Sequence, residues 1–303
     1  MIVRLASADE FYAVFEARCV YGSRAFVEGN ASRAQAVRFF IGYDEKERPR
    51  LGTAMGYRDG EWLCPFSAPF GEVVATKDDE SLERIYDFVS ELCDTLAGAP
   101  VRFTLPPLFY GGQMLTRLHG VIANYAKGAY YDYNYHYDLS RADHFEEYLD
   151  RAARKNYRHT LQQGFAFAQT DDIARAYAVI KANRESHGYP LAMSLEQVTD
   201  TVERMVTARF FLLTLGDADV AAAMVYDVAP GIGQVVYWGD APGYSELRPM
   251  NMLPPLLFAH YREAGYRILD IGPSSKRGVP SPGLCRFKES LGCELTLKPT
   301  FVL

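Results

Sequence analysis

The order strand, loop, helix, strand occurs twice in this chain, and this repeat constrains the fold more than any other feature. It spans residues 62–105 and again residues 235–271. In the second half, three strands form a meander, with turns at Gly216-Asp217 and Pro230-Gly231. Two copies of one plan in a chain of 303 residues predict two domains of similar fold, since roughly 150 residues per domain is usual.

The composition narrows the class of protein and of site. Apolar residues make up 49% of the chain and charged residues 23%, which is typical of a soluble globular enzyme. The net charge of −6 argues against a broad nucleic-acid surface but permits a local basic patch. The five cysteines form no C-x-x-C pair and the six histidines lack metal-ligand spacing, so we expect neither a disulfide framework nor a metal site.

Hydropathy bears on location. No apolar run reaches the ~18 residues that a membrane helix needs. Charged residues interrupt the N-terminal stretch at Arg4, Asp9 and Glu10, where a signal peptide would be apolar. We therefore expect a cytoplasmic protein without a membrane span.

The candidate catalytic residues lie near the C-terminus, around the end of a buried strand. Asp270 occupies the last turn of this apolar strand, and Ser274 and Ser275 follow after a Gly-Pro break. A short helix at residues 283–291 then returns Lys288 to the same region. α/β proteins commonly build sites from polar groups at strand ends. The alternative is a helix-capping loop with a solvated lysine, and both interpretations remain open.

A basic stripe follows one face of a helix predicted at residues 143–163. Arg151, Arg154, Lys155 and Arg158 recur at three-four spacing on this helix. Such a stripe can bind the phosphates of coenzyme A, of a nucleotide-linked sugar or of an RNA. A solvated helix face is the alternative.

Motifs spread over most of the chain follow an order that is typical of one family. In the second half they are Arg154-Lys155-Asn156-Tyr157-Arg158 with Gly164, Tyr237-Trp238-Gly239-Asp240, Pro249-Met250-Asn251, Asp270-Ile271-Gly272-Pro273-Ser274-Ser275, Gly283-Leu284, Phe287-Lys288-Glu289 and Leu291-Gly292. The first half adds Ser67-Ala68-Pro69-Phe70-Gly71. With these motifs the chain resembles the Fem family of peptidoglycan interpeptide-bridge aminoacyltransferases and their acyltransferase relatives, which are two GNAT domains fused in tandem.

This resemblance implies an α/β (α+β) fold of two tandem GNAT-like domains, each a mixed, mainly antiparallel sheet flanked by helices. We predict an N-terminal domain at residues 1–140 and a C-terminal domain at residues 141–303, with the closing strand returning to the first domain as an alternative. The chain has no long heptad segment for the coiled-coil arm of some family members. That difference weakens any inference of a large partner.

Acyl transfer to an amine needs a positioned carbonyl donor, an uncharged nitrogen, and a group that stabilises the tetrahedral oxyanion. The resemblance implies that Lys288 lies near the reacting carbonyl and stabilises the oxyanion. Asp270 would accept the amine proton or orient the amine. Alternatively, Asp270 caps the following loop through Ser274 or Ser275.

Binding residues are also implied by the resemblance. Arg184 stands where family members carry an arginine for the acceptor's phosphates. The other substrate-binding candidates are Tyr237, Asp240, Ser274, Ser275 and Phe287. Residues 242–248 open the next helix, where acyl-CoA-dependent GNAT domains hold pyrophosphate on backbone N–H groups, although the glycine signature of that loop is not intact. The donor-phosphate candidates are Arg154, Arg158, Arg248 and Asn251.

We expect an N-acyltransferase that forms an amide between an acyl donor, acyl-CoA being favoured, and an amine of a cell-envelope or sugar-nucleotide precursor. The acceptor is then a small molecule, and the process is cell wall biogenesis. An aminoacyl-tRNA donor is the first alternative, although the acidic net charge disfavours tRNA. A non-catalytic binding protein with a GNAT fold is the second.

Overall fold

The computed structural model describes residues 1–96, 98–141, 145–189 and 191–303. The chain forms two compact units. Unit 1 comprises Met1–Tyr133, Ser275–Val279 and Thr296–Leu303, and unit 2 comprises Asn134–Ser274 and Pro280–Leu295. Residues 296–303, the end of the closing strand, thus belong to the first unit. Within the described ranges, no helix is both long enough and apolar enough to cross a membrane.

The elements alternate along the chain as α/β proteins do. The α-helices are α1 Ala8–Val14, α2 Arg24–Gly29, α3 Leu82–Thr95, α4 Gln113–Tyr125, α5 Arg151–Thr160, α6 Ile173–Ser186, α7 Leu195–Arg204, α8 Leu253–Glu263 and α9 Pro282–Ser290. The strands are β1 Ile2–Ala6, β2 Ala36–Tyr43, β3 Pro49–Arg58, β4 Glu61–Cys64, β5 Val74–Ala75, β6 Val101–Thr104, β7 Gly128–Asp138, β8 Ala166–Thr170, β9 Ala208–Leu215, β10 Ala218–Ala229, β11 Ile232–Asp240, β12 Ile268–Pro273, β13 Ser275–Lys276, β14 Val279–Pro280 and β15 Glu294–Val302.

In unit 1 the strands follow the order β1-β2-β3-β4-β6-β15, and β5 pairs with β3. Of these, β4 and β6 are parallel, and the other registered pairs are antiparallel. Ser81 caps the N-terminus of α3, because its side chain accepts a hydrogen bond from the Arg84 backbone N–H. Its buried residues Ile85, Phe88 and Leu92 recur at three-four spacing and join the apolar core of this unit.

In unit 2 the strands follow the order β7-β12-β11-β10-β9-β8. Strands β9, β10 and β11 form the predicted antiparallel meander, whereas β11 and β12 are parallel. Residues 220–225 of β10 are buried on both faces, and α6 packs against β9, β10 and β11. The predicted α/β class, with mixed but mainly antiparallel sheets flanked by helices, is confirmed.

Three helices differ from their predicted extents. Apolar residues at helical spacing after Ser7 predict a helix to about Val20, but α1 ends at Val14, and the backbone N–H of Arg18 bonds to the Glu72 carboxylate at 3.1 Å. The sequence also predicts a helix from Met250 to Ala264, but α8 begins at Leu253, because two prolines occupy its first turn. The helix predicted at residues 143–163 corresponds to α5, which extends only from Arg151 to Thr160. Residues 143 and 144 lie outside the described residues.

Candidate active site

Unit 2 contains a parallel strand pair that separates part-way along its length. β11 and β12 pair over three residues each, ending at Gln234 and Asp270, although β11 continues to Asp240 and β12 to Pro273. Beyond the last pair, the strand pairing of β11 in the described residues is with β10 alone. Residues 235–240 therefore face the gap with a backbone edge that has no strand partner. We call this gap the fork.

β11 also carries a bulge at the start of the fork. Tyr237 pairs with Met224 of β10 and Val235 pairs with Val225, so Val236 is an extra residue in β11. A bulge bends its strand and increases the local twist, and bulges are frequent next to active sites. The sequence around residue 236 therefore helps to direct β11 away from β12.

Asp270 lies at the point where the two strands separate. The residue is 0% exposed. Its Oδ1 accepts hydrogen bonds from Asn134 Nδ2 at 2.8 Å and from the Gly272 backbone N–H at 2.9 Å. Its Oδ2 accepts one from Gln234 Nε2 at 2.6 Å. The carboxylate thus joins β7, β11 and the end of β12, whereas the Ser275 hydroxyl donates to Asp132.

Lys288 projects from α9 onto the β12 arm of the fork. Its Nζ donates to three backbone carbonyl oxygens, at 3.1 Å (Ile271), 2.8 Å (Gly272) and 3.4 Å (Pro273). Because an ammonium has three N–H groups, these contacts use its full donor capacity. Gly272 has a φ of +76°, a left-handed conformation that suits glycine and lets the strand curl around the ammonium.

Burial governs the charge of Lys288. The side chain is 3% exposed, so the alternative of a solvated lysine is excluded. Burial lowers the pKa of Lys288 to about 8, against the opposing effect of Cys293, Asp270 and Cys285. The lysine is therefore mainly charged at pH 7, close to the backbone of β12.

Arg184 and Tyr237 meet where α6 passes the far end of β11. The Arg184 guanidinium lies 5.6 Å from the centre of the Tyr237 ring, which suits a cation–π contact. Arg184 Nε is buried and has no hydrogen-bond partner among the described residues. Burial raises the pKa of Tyr237, and the positive charge of Arg184 partly offsets this.

Asp240 fixes this end of β11. Asn183 Nδ2 donates to the Asp240 backbone oxygen at 2.8 Å and to its Oδ1 at 3.0 Å, while Ser245 Oγ donates to Oδ2 at 3.0 Å. A Cβ at Gly239 would lie 2.4 Å from the Asn183 side chain, so glycine is needed there. Asp240 therefore positions Arg184 through its neighbour Asn183.

The helix start that follows β11 has few N–H donors. Pro254 and Pro255 occupy the second and third positions of α8, and neither has a backbone N–H. Arg248 contacts Asn156 and has a φ of +57°. Asn251 ends a short 3-10 turn before the helix. This helix start thus offers fewer donors to an anion than an ordinary one.

Two arginines of the basic stripe bond within the chain. Arg154 donates to the backbone oxygens of Glu146 and Leu149 at 3.1 and 3.0 Å. Arg158 pairs with the Glu146 carboxylate at 2.9 Å. These contacts use guanidinium N–H groups of Arg154 and Arg158, which were the predicted donors to a phosphate of the acyl donor.

The remaining predicted residues fall in different places. Ser274 lies in unit 2, and its Oγ is buried without a hydrogen-bond partner in the described ranges. Ser275 belongs to unit 1, where its Oγ donates to Asp132 at 2.7 Å. Phe287 is half-buried beside Lys288 on α9. Among the residues described, no group of three or more His, Cys, Asp or Glu side chains could hold a metal ion.

Solved structures share this fold, although no family model and no curated protein matches the sequence. FemX is 11% identical, with 100% of this chain and 98% of that chain covered and a TM-score of 0.66. L-PGS from Bacillus licheniformis is 13% identical, with coverages of 98% and 92% and a TM-score of 0.56. A tandem GNAT protein from the clavulanic acid biosynthesis pathway is 12% identical, with coverages of 100% and 97% and a TM-score of 0.51.

The chain has the fold of the Fem-type and tandem GNAT proteins. The predicted resemblance is thereby confirmed at the level of fold. At sequence identities of 11–13%, the comparison shows a shared fold and not a shared activity.

Sequence reasoning missed two residues of the fork, Asn134 and Gln234. Both are buried polar side chains that donate to Asp270. Each is a polar residue within a strand of mainly apolar or aromatic residues, and buried polar groups need partners. That pattern marks a polar site, but their separation of 100 positions hides which carboxylate they share.

Proposed function

We propose that this protein is an N-acyltransferase that forms an amide at the fork of unit 2. The carrying observation is the backbone edge of residues 235–240, which is left without a strand partner. An extended donor with amide groups can pair with such an edge as an added strand does. The pantetheine arm of an acyl-CoA is a donor of this shape, and we therefore favour acyl-CoA as co-substrate.

Lys288 and Asp270 have distinct roles in this proposal. Lys288 supplies positive charge beside the β12 carbonyls, and this charge stabilises the oxyanion that forms on the acyl carbonyl. Because its three N–H groups are already used, it acts through its field rather than through a free donor. Asp270 orients the fork, since its carboxylate accepts three hydrogen bonds from groups around it.

Arg184 is the proposed contact for the acceptor. Its guanidinium is held by Tyr237, and its buried Nε has no hydrogen-bond partner among the described residues. Guanidinium groups bind phosphate with defined geometry. The acceptor is therefore a small amine that also carries phosphate, such as a nucleotide-linked cell-envelope precursor. We propose a cytoplasmic location, because such precursors and coenzyme A thioesters are made there.

An aminoacyl-tRNA donor is the second candidate, and one observation favours it. Pro254 and Pro255 remove two N–H groups from the helix start where an acyl-CoA pyrophosphate would bind. An acyl donor that does not bind at this helix start is unaffected by the two missing N–H groups.

A transfer assay distinguishes these donors. The protein is incubated with UDP-glucosamine as the amine probe and with acetyl-CoA, longer acyl-CoAs or aminoacyl-tRNA, and acylated product is measured by mass spectrometry. Product with acyl-CoA supports the first candidate, and product with aminoacyl-tRNA alone supports the second. Binding of UDP-glucosamine without product from any donor indicates a non-catalytic binding protein and refutes the proposal.

A further inference from the structure

Unit 1 contains a buried carboxylate with one oxygen in use and one unpartnered. Glu72 Oε2 accepts a hydrogen bond from the Arg18 backbone N–H at 3.1 Å. Glu72 Oε1 is buried and has no hydrogen-bond partner in the described parts of the chain. It lies against the backbone of Gly22, because a Cβ built there would be 1.7 Å from Oε1. An oxygen in this state requires an explanation, since leaving it unsatisfied costs free energy.

Glu72 and Gly22, the residue beside Oε1, both line a cavity of about 30 Å³. The other walls are largely apolar, with contributions from Phe11, Phe26, Val27 and Phe66. One water needs roughly 10–15 Å³ on this measure, so the cavity admits about two water-sized groups. A second cavity of about 30 Å³ on another side of Glu72 is lined by Phe70, Met114 and Leu118.

The charges around Glu72 favour a cationic or hydrogen-bond-donating occupant. The Arg18 guanidinium is paired with Asp78, so it is directed to another carboxylate. Burial raises the pKa of Glu72 to about 7, and the backbone N–H and charge of Arg18, together with hydrogen bonding from the backbone and thiol of Cys19, oppose this rise. Half of the Glu72 side chains are therefore ionised near neutral pH.

The other titratable groups that face Glu72 do not change charge in this range. Burial raises the pKa of the Cys19 thiol well above its usual value and that of Cys64 to about 12. Burial and the charge of Glu72 also raise the pKa of Tyr12. Between pH 6 and pH 8, Glu72 is thus the titrating group among these side chains.

We propose that unit 1 holds a second ligand site, in which a small primary amine with an apolar stem donates a hydrogen bond to Glu72 Oε1. The carboxylate excludes anions, and the aromatic walls disfavour strongly hydrated ligands such as sugars. The ammonium and the adjoining methylene fill the cavity. This inference is independent of the function proposed for unit 2.

The test is a titration of the full-length protein with methylamine, whose two heavy atoms match the cavity, followed by ligand-observed NMR at pH 6 and pH 8. A carboxyl with a pKa of about 7 is about 9% ionised at pH 6 and about 91% at pH 8, so we expect about tenfold tighter binding at pH 8. Glu72→Gln should lose this pH dependence and bind at least tenfold more weakly at pH 8. Methanol, which stays neutral, is the matched ligand control and should show no pH dependence.

A second measurement needs no variant. The carboxyl ¹³C signal of Glu72 is titrated with pH in the presence and absence of methylamine, and the bound ammonium should lower the apparent pKa of Glu72. Equal binding by Glu72→Gln, binding that is unchanged between pH 6 and pH 8, or an unmoved Glu72 titration would each overturn the proposal and leave water as the occupant.

Discussion

Replacing Lys288 by methionine tests whether the lysine holds the β12 arm of the fork. The change removes the partner of three backbone carbonyl oxygens, Ile271, Gly272 and Pro273. Each buried carbonyl left without a partner costs about 1–3 kcal/mol, so we expect Lys288→Met to lower the free energy of unfolding by about 3 kcal/mol or more at pH 10.

The loss should be smaller at neutral pH, because burial of the charge already destabilises the parent there. The pKa of Lys288 falls from an ordinary 10.5 to about 8 on folding. The unfolded chain therefore binds more protons than the folded chain between these values, and parent stability rises with pH. Linkage gives a gain of about 2.5 kcal/mol for the parent from pH 7 to pH 10, which the methionine variant lacks.

The assay is urea unfolding of both proteins at pH 7 and pH 10, with the difference between them taken at each pH. Subtraction removes the contributions of the other titrating groups. Lys155→Met is the matched control, because Lys155 is an exposed lysine on α5 of the same unit. It should change stability by less than about 0.5 kcal/mol at either pH.

A destabilisation by Lys288→Met that is equal at pH 7 and pH 10 would refute the buried-charge argument. So would acetylation of Lys288 in the folded protein at the rate of Lys155, since a 3% exposed amine should be protected. If the variant stays folded at pH 7, its rate of acyl transfer then reports the contribution of the charge to catalysis, for which a loss of about 10²–10³ is typical.

Three further substitutions address the other polar residues. Asp270→Asn leaves one acceptor oxygen for three donors, so urea unfolding should show that the free energy of unfolding falls by about 1–3 kcal/mol. An unchanged unfolding midpoint would contradict the hydrogen bonds assigned to Asp270. Glu72→Gln should raise the free energy of unfolding by about 3 kcal/mol at pH 8 and hardly at pH 4. The reason is that the pKa of Glu72 rises from 4.5 to about 7 on folding, so that ionisation of this carboxyl destabilises the folded state. An increase in stability at pH 4 as large as that at pH 8 would contradict this prediction. Arg184→Ala should raise KM for UDP-glucosamine at least tenfold with less effect on kcat. The control Lys181→Ala, on the same helix, should leave KM unchanged. Equal KM values in the two variants would exclude Arg184 from the acceptor site.

The sequence predicted those parts of the fold that depend on local pattern. The meander of β9 to β11 and the strand carrying Asp270 follow from apolar runs separated by turn residues. The partners of Asp270 could not be predicted, because Asn134 and Gln234 reach it from separate strands. The early end of α1 at Val14 likewise depends on a distant group, since Glu72 binds the backbone 54 positions away at Arg18.

Asp270 and Glu72 differ in whether both carboxylate oxygens accept hydrogen bonds within the protein. This difference separates a carboxylate that holds the structure together from one that is able to bind a ligand. Asp270 accepts three bonds within unit 2, so a ligand could reach it only by breaking bonds that hold the fork together. Glu72 is half-buried as a residue, yet its Oε1 is buried and unpartnered within the described ranges, and the residue borders a cavity. A ligand there gains a bond without displacing one, which is the condition for favourable binding at a buried polar atom. By this criterion we propose that Asp270 holds the fork in place, and that Glu72 is the carboxylate with an oxygen available to a ligand.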